Sequence, residues 1–215
     1  MAAKLFNWPT LFSSPDESAM WRVKHEDDPE AFAELVQRWQ KPIQNLCTRM
    51  VGDSHRGEDL AQDAFTRLYS KRKSYEAKSK LSTFLWRIAL NICYDELRRQ
   101  RRRHEFSLDE PSADGSPSDQ LESEAPGPPD DLIGQERAAA VRDALQKIAE
   151  PYRVVLVLRH YEGLKFREIA EVLEIPEGTV KSRMAEGLGQ LERILQPFVC
   201  EKPPRRVFRN ERLIV

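Results

Sequence analysis

Residues 166–191 read F-R-E-I-A-E-V-L-E-I-P-E-G-T-V-K-S-R-M-A-E-G-L-G-Q-L, two short amphipathic helices on either side of a break at Glu174, Ile175 and Pro176. Ile169, Ala170, Val172 and Leu173 mark the apolar side of the first helix. Val180, Met184, Leu188 and Leu191 form one stripe at helical spacing on the second. Ala170 is small where one helix must cross close to another, and Val180 points inward. Thr179, Lys181, Ser182 and Arg183 are left on the exposed start of the second helix. A helix-turn-helix offers such N-terminal side chains to the DNA major groove. A helical hairpin with a solvated polar face has the same local pattern, so the rest of the chain decides between them.

With 215 residues there is room for one or two domains, each with its own core. A formal charge of −1 excludes a uniformly basic nucleic-acid coat, but the charge is segregated. Residues 97–103 read L-R-R-Q-R-R-R, whereas residues 104–136 hold acids and no Lys or Arg. Cys47, Cys93 and Cys200 are far apart, with no CxxC pair or Cys/His cluster. Neither a disulfide framework nor a metal site is expected, and no cofactor. The cysteine usage, the absence of a basic-then-apolar leader and the lack of any bilayer-length apolar run predict a cytoplasmic chain with no membrane insertion.

Residues 1–27 mix Pro, Ser, aromatics and acids without sustained period, and are expected to be partly disordered or loosely docked. A strong helix follows. Asp28, Pro29 and Glu30 supply an N-cap, a first-turn proline and an early acid. Apolar positions then run from Phe32 through Leu35, Trp39, Ile43 and Leu46 to Met50, with a kink expected at Pro42 and a stop at Gly52. A second helix is predicted from about Gly57, burying Leu60, Ala61, Ala64, Phe65 and Leu68. A third opens at Ser82 or Thr83 and ends in the arginine run. Residues 104–134, rich in Pro, Ser, Gly and acids, read as a linker too poor in apolar residues to fold alone. Helical pattern resumes over 135–199, and 200–215 is a basic tail. No segment alternates like a strand, so the fold class is all-α: two small helical domains on a flexible acidic linker.

Four stretches, in order, resemble one family. D-P-E-A-F-A-E-L-V at 28–36, E-D-L-A-Q-D-A-F-T-R-L-Y at 58–69 and L-S-T-F-L-W-R-I-A-L-N-I-C-Y-D-E-L-R-R at 81–99 are similar to region two of bacterial sigma factors. L-R-H-Y-E-G-L-K-F-R-E-I-A-E-V-L followed by I-P-E-G-T-V-K-S-R, from residue 158, resembles region four. A chain with only these two regions looks like a sigma factor of the extracytoplasmic-function (ECF) group. Departures are visible. Glu174 stands where the family commonly has glycine in the turn, Glu186 where a basic residue is usual, and Phe84 where a tryptophan is usual. Gly187 and Gly189 weaken their helix by ~1 kcal/mol each relative to alanine.

The resemblance implies a non-enzymatic subunit that gives core RNA polymerase its promoter choice. Its polymerase contacts are the clamp of the largest subunit and the flap of the second-largest. Asp59, Gln62, Asp63 and Arg67 are then the polymerase-binding face. Tyr75, Lys78, Lys80, Ser82, Thr83 and Trp86 surround the pocket that captures minus-ten bases, a capture that repays the cost of unstacking. Asn91, Asp95, Arg98 and Arg99 face the duplex, and each phosphate neutralised by the arginine run steepens the salt dependence by ~0.9 in log–log slope. Thr179, Lys181, Ser182 and Arg183 read or clamp the minus-thirty-five element, aided by backbone amides at the helix start, with Arg159, Lys165 and Arg167 on the backbone. An anti-sigma factor is the implied inhibitor. The acidic linker has three open readings: inert tether, nucleic-acid mimic, or shield for the arginines. The rival function is a stand-alone helix-turn-helix regulator that ignores polymerase. An enzyme has no support from the scattered His25, His55, His104 and His160.

Overall fold

The computed structural model describes residues 14–76, 80–107 and 129–199, which contain eight α-helices, one 3-10 turn and no strand. The first helix, α1 (Pro15–His25), lies in the stretch expected to be loose. Only Ala19, Met20 and Val23 are buried along it, too thin a stripe for periodicity to reveal. Polar ties dock it instead. Arg22 reaches Asp28 at 3.1 Å and Glu34 at 2.9 Å, while Asp16 accepts from the Trp39 indole at 3.2 Å and pairs with Arg38.

Helix α2 (Pro29–Val51) starts as the sequence predicts, with the Asp28 carboxylate accepting from the amides of Glu30 and Ala31. It runs on through Pro42 without interruption and stops at Gly52 in the left-handed conformation, φ 85°. Helix α3 (Ser54–Ser70) begins three residues earlier than expected, because Asp53 caps it through the Arg56 amide. A 3-10 turn (Arg72–Ser74) precedes α4 (Leu81–Ser107). Leu35, Ile43, Leu46, Leu60, Leu68 and Leu85 are fully or almost fully buried and close the core between these helices. Cys47 and Cys93 are buried free thiols within it.

The second unit comprises α5 (Pro129–Lys147), α6 (Glu150–His160), α7 (Phe166–Leu173) and α8 (Glu177–Val199). Helices α4 and α5 thus extend into both ends of the predicted linker. Residues 1–13, the segment 108–128 and the tail 200–215 lie outside the described residues. Val180 and Met184 are buried as expected, but Leu188 is 43% exposed. The inward position of that turn is Gly187: a Cβ there would meet Leu156 Cδ1 at 3.1 Å. Gly187 therefore lets α8 cross close to α6, while Gly189 faces open space. Gly189→Ala is expected to raise the melting temperature, at about 1 kcal/mol of helix propensity. Gly187→Ala should give no such gain, and a thermal melt of each variant checks both.

The two units are docked rather than separate. Helices α5 and α6 pack on α2, α7 packs on α4, and the buried apolar residues form one continuous cluster. At the centre is Arg153, 7% exposed. Its guanidinium donates across the junction to the Met50 carbonyl at the end of α2, and to the Gln146 side chain at 2.8 Å. It also donates to the Gln146 carbonyl at 2.7 Å and twice to that of Ile148. Gln146 in turn donates to the Arg49 carbonyl at 2.8 Å. The carbonyl end of α2, where the helix dipole is negative, is so occupied by a cation and an amide of the second unit. Burial lowers the proton affinity of Arg153, with Glu150 opposing, but a guanidinium stays charged. Arg49 adds a cation–π contact to Tyr161, 4.1 Å from the ring centre, and a 3.5 Å approach to Glu162.

Candidate nucleic-acid interface

Helix α3 presents its outer face as the spacing requires. Asp59, Gln62, Asp63 and Arg67 are exposed, while Leu60, Ala61, Ala64, Phe65 and Leu68 are buried beneath them. Asp59 also lies 3.3 Å from Arg56. Arg56 spans to Glu96 on α4 at 2.8 Å. The Glu96 carboxylate, 5% exposed, is held below its usual range by the Arg56 hydrogen bond, against the opposing effect of burial.

Residues assigned to base capture divide. Lys78 lies outside the described residues. Tyr75, Thr83 and Trp86 are buried in this state, with Thr83 and Trp86 at the floor of a cleft. The Tyr75 ring packs on Phe84 at 5.3 Å, and Trp86 meets Trp39 edge-on at 5.7 Å. Lys80 and Ser82 stay accessible beside a 260 Å³ cleft, whose other wall is Glu162, Gly163, Leu164 and Glu168 of the second unit. Lys80 pairs with Glu168 at 3.2 Å. Next to it Arg87, which sequence reasoning passed over as a core-helix residue, pairs with Glu174 at 2.9 Å and donates to the Glu171 carbonyl. In the docked form acids in and just after α7 pair with cations in and just before α4.

Asn91, Asp95, Arg98 and Arg99 are exposed along α4. Arg98 reaches Asp95 at 3.3 Å, Arg99 reaches Glu96 at 3.4 Å, and Arg101 bridges to Glu150 at the start of α6. The Arg98–Asp95 pair, exposed on both sides, contributes little and exchanges readily for phosphate. Arg102 and Arg103 are exposed and have no ion pair among the described residues.

In the helix-turn-helix, Glu174 ends α7 in the left-handed conformation, φ 55° and ψ 40°. A non-glycine residue is strained there by about 1–2 kcal/mol. The Glu168 carboxylate accepts from the Lys165 amide at 2.9 Å and so caps the start of α7. At the start of α8, Lys181 and Ser182 are exposed, and Thr179 and Arg183 half-buried. Lys181 pairs with Glu177 at 2.7 Å, and the Ser182 hydroxyl donates to the Thr179 carbonyl. The amides of Thr179 and Val180 both go to the Pro176 carbonyl, leaving those of Glu177 and Gly178 to the first turn. Lys165 and Arg167 are exposed, with Arg167 against Glu171 at 3.3 Å. Arg159 is committed elsewhere: it donates to the Leu164 carbonyl at 3.0 Å and lies over the Phe166 ring. Its position brings it to the interhelix loop rather than to an open face.

Comparison with known proteins bears on both units. The model of Sigma-70 region 2 matches residues 35–103, and that of Sigma-70 region 4 matches residues 138–191. The ECF RNA polymerase sigma factor SigW of Bacillus subtilis is 34% identical over 178 residues, covering 81% of this chain and 95% of the relative. The chain belongs to the ECF sigma factor family. As a sigma factor it binds core RNA polymerase and promoter DNA and directs transcription initiation. Other relatives agree: RNA polymerase sigma-H factor of Pseudomonas aeruginosa, 31% identical over 89% of this chain and 99% of its own, and ECF RNA polymerase sigma-E factor of Escherichia coli K12, 30% identical over 86% and 96%. Among solved structures, CnrH in complex with the cytosolic domain of CnrY superposes with a TM-score of 0.63 at 18% identity, covering 86% of this sigma factor and 99% of that chain. The sigma factor RpoE of Bartonella quintana, solved with the anti-sigma factor NepR, gives 0.60 at 19% identity, over 77% and 96%. At that identity the two structures share the fold. Among the described residues no helix is long and apolar enough to cross a membrane, and no His/Cys/Asp/Glu group could hold a metal ion.

Proposed function

We propose that this sigma factor works through three separate surfaces. The exposed α3 face, Asp59, Gln62, Asp63 and Arg67, docks on the clamp of the polymerase largest subunit, while the second unit engages the flap of the second-largest. The start of α4, with Lys80 and Ser82, takes the minus-ten element, and Asn91, Arg98 and Arg99 track the duplex. Thr179, Lys181, Ser182 and Arg183 of α8 take the minus-thirty-five element, with Lys165 and Arg167 on phosphates. Catalysis belongs to the polymerase, and the site of action is the cytoplasm. An anti-sigma factor is the inhibitory partner, in line with the anti-sigma factor NepR bound to the solved Bartonella quintana sigma factor.

The observation that carries this reading is the sorting of the α3 and α8 polar faces to solvent while their apolar faces close two cores. The docked form cannot hold both promoter elements at once. Elements centred ten and thirty-five base pairs upstream lie roughly 85 Å apart at 3.4 Å per pair. A globule of this size is roughly 40 Å across. The segment 108–128 has a full reach of roughly 70 Å, so parting the units along it supplies the missing distance. The docked form is therefore the unbound state.

Run-off transcription from fragmented genomic DNA with core polymerase tests the reading. Discrete start points that need the added chain are expected; DNA binding without them would leave only a stand-alone regulator. Lys181→Ala is expected to weaken promoter and scrambled duplex alike and to reduce the salt slope by ~0.9, as for the loss of one phosphate contact. Affinity measured at several salt concentrations checks it, and an unchanged slope would remove α8 from the DNA.

A further inference from the structure

We infer that Glu17 and Lys24 of α1 are positioning residues for promoter melting, fixing Tyr75 after the 3-10 turn and the first residue of α4. The inference rests on the assignment of the minus-ten element to the start of α4. Lys24 donates to the Tyr75 carbonyl at 2.6 Å, and Glu17 accepts from the Leu81 amide at 3.2 Å. The two side chains are seven residues apart, two turns along one face of α1, so a single rigid element holds both Tyr75 and Leu81.

The start of α4 needs such help. Leu81 opens the helix, and the residue before it is Lys80, which has no acceptor with which to cap an amide. Glu17 supplies the missing cap from a distant helix and brings a negative charge to the positive end of the α4 dipole. Its second oxygen is buried and has no hydrogen-bond partner, so the carboxylate is held at the expense of its own hydration. Burial, with the Glu17 charge adding, pushes the Tyr75 phenol up to about 12. Helix α1 is itself braced: Asp16 and Arg22 tie it to α2, and just past its end Asp27 meets Arg72 of the 3-10 turn at 2.7 Å. An element so fixed can keep Lys80 and Ser82 in register with a DNA strand while the duplex opens.

The test uses the full-length chain with core polymerase on the strongest promoter found by run-off. Three quantities are read: affinity for core enzyme, permanganate reactivity of minus-ten thymines against time, and run-off from the same promoter pre-opened by mismatch. Glu17→Ala and Lys24→Met are expected to keep core affinity within about twofold and to melt the duplex about tenfold more slowly, the size of one lost charge-assisted hydrogen bond. The pre-opened template should restore both to within about twofold. Glu17→Gln, which keeps an acceptor for the Leu81 amide, should recover most of the melting rate. Melting at the wild-type rate overturns the proposal, as does an equal loss in all three readouts, which would mark a purely structural role. If Glu17→Ala does not fold, Lys24→Met decides alone, because it leaves α1 packing intact. Wild-type protein that drove no specific start would instead overturn the reading of the site itself.

Discussion

Arg153→Met is expected to separate the two helical units and to lower stability by about 3 kcal/mol. The guanidinium makes five hydrogen bonds, to Met50, Gln146 and Ile148. Methionine fills similar volume but donates nothing, so buried carbonyls on both sides of the junction lose their partner. Such orphaned acceptors cost about 1–3 kcal/mol each when water is excluded, less where water enters. Arg153→Lys should fare little better, since one ammonium cannot reproduce a planar fork that serves several carbonyls. Small-angle scattering should report a larger radius of gyration for both variants. Urea unfolding followed separately by far-UV signal and by tryptophan fluorescence should lose its coincidence, because Trp21, Trp39 and Trp86 belong to the first unit and the second, 129–199, has no tryptophan. An unchanged radius would show that apolar contact alone holds the units together.

Gly57→Ala comes next in size, at about 2–3 kcal/mol. A Cβ at Gly57 would stand 2.2 Å from Thr48 Oγ1, 2.7 Å from the Thr48 nitrogen and 2.8 Å from its Cα. The hydroxyl could rotate away, but the backbone of α2 cannot, so α2 and α3 must move apart. Overpacking of this kind costs about 1–3 kcal/mol or more and outweighs the ~1 kcal/mol gained in helix propensity. Adding Thr48→Ala should recover less than roughly half of the loss, since only the Oγ1 clash is relieved. Chemical denaturation of the single and double variants checks both statements. Full recovery by the double variant would mean that the helices touch only through the hydroxyl.

What could be read without coordinates follows from how local each signal is. The Asp28 cap, the Gly52 stop and the α3 face are written within a turn or two of sequence, and were legible. The helix-turn-helix was too, and the odd residue in its turn, Glu174, does take the left-handed conformation that its position demands. One stripe slipped: Leu188 looked inward by spacing, but the smaller Gly187 is the residue against Leu156. Helix α1 was missed because three small or medium apolar residues give little period, and its ties lie in side chains of distant segments. The aromatic and hydroxyl residues Tyr75, Thr83 and Trp86 suit nucleic-acid contact by type, and their burial in the docked form depends on segments distant in sequence. Arg153 sits in an apolar run and its acceptors are mostly backbone carbonyls, which no side-chain pattern marks, so its tie to Met50 on α2 was invisible.

The buried guanidinium at the junction also decides how the two halves come apart. Ion pairs at a rim can be exchanged for water one at a time, but the hydrogen bonds that cross here, Arg153 to the Met50 carbonyl and Gln146 to that of Arg49, meet water only once the apolar faces around them have opened. Parting therefore has a late barrier and no stable half-way form, so the molecule should behave as a latch that is either shut or released. Small fluctuations in ionic conditions would loosen its rim without springing it, and release would fall to a partner able to grip both halves more strongly than they grip each other.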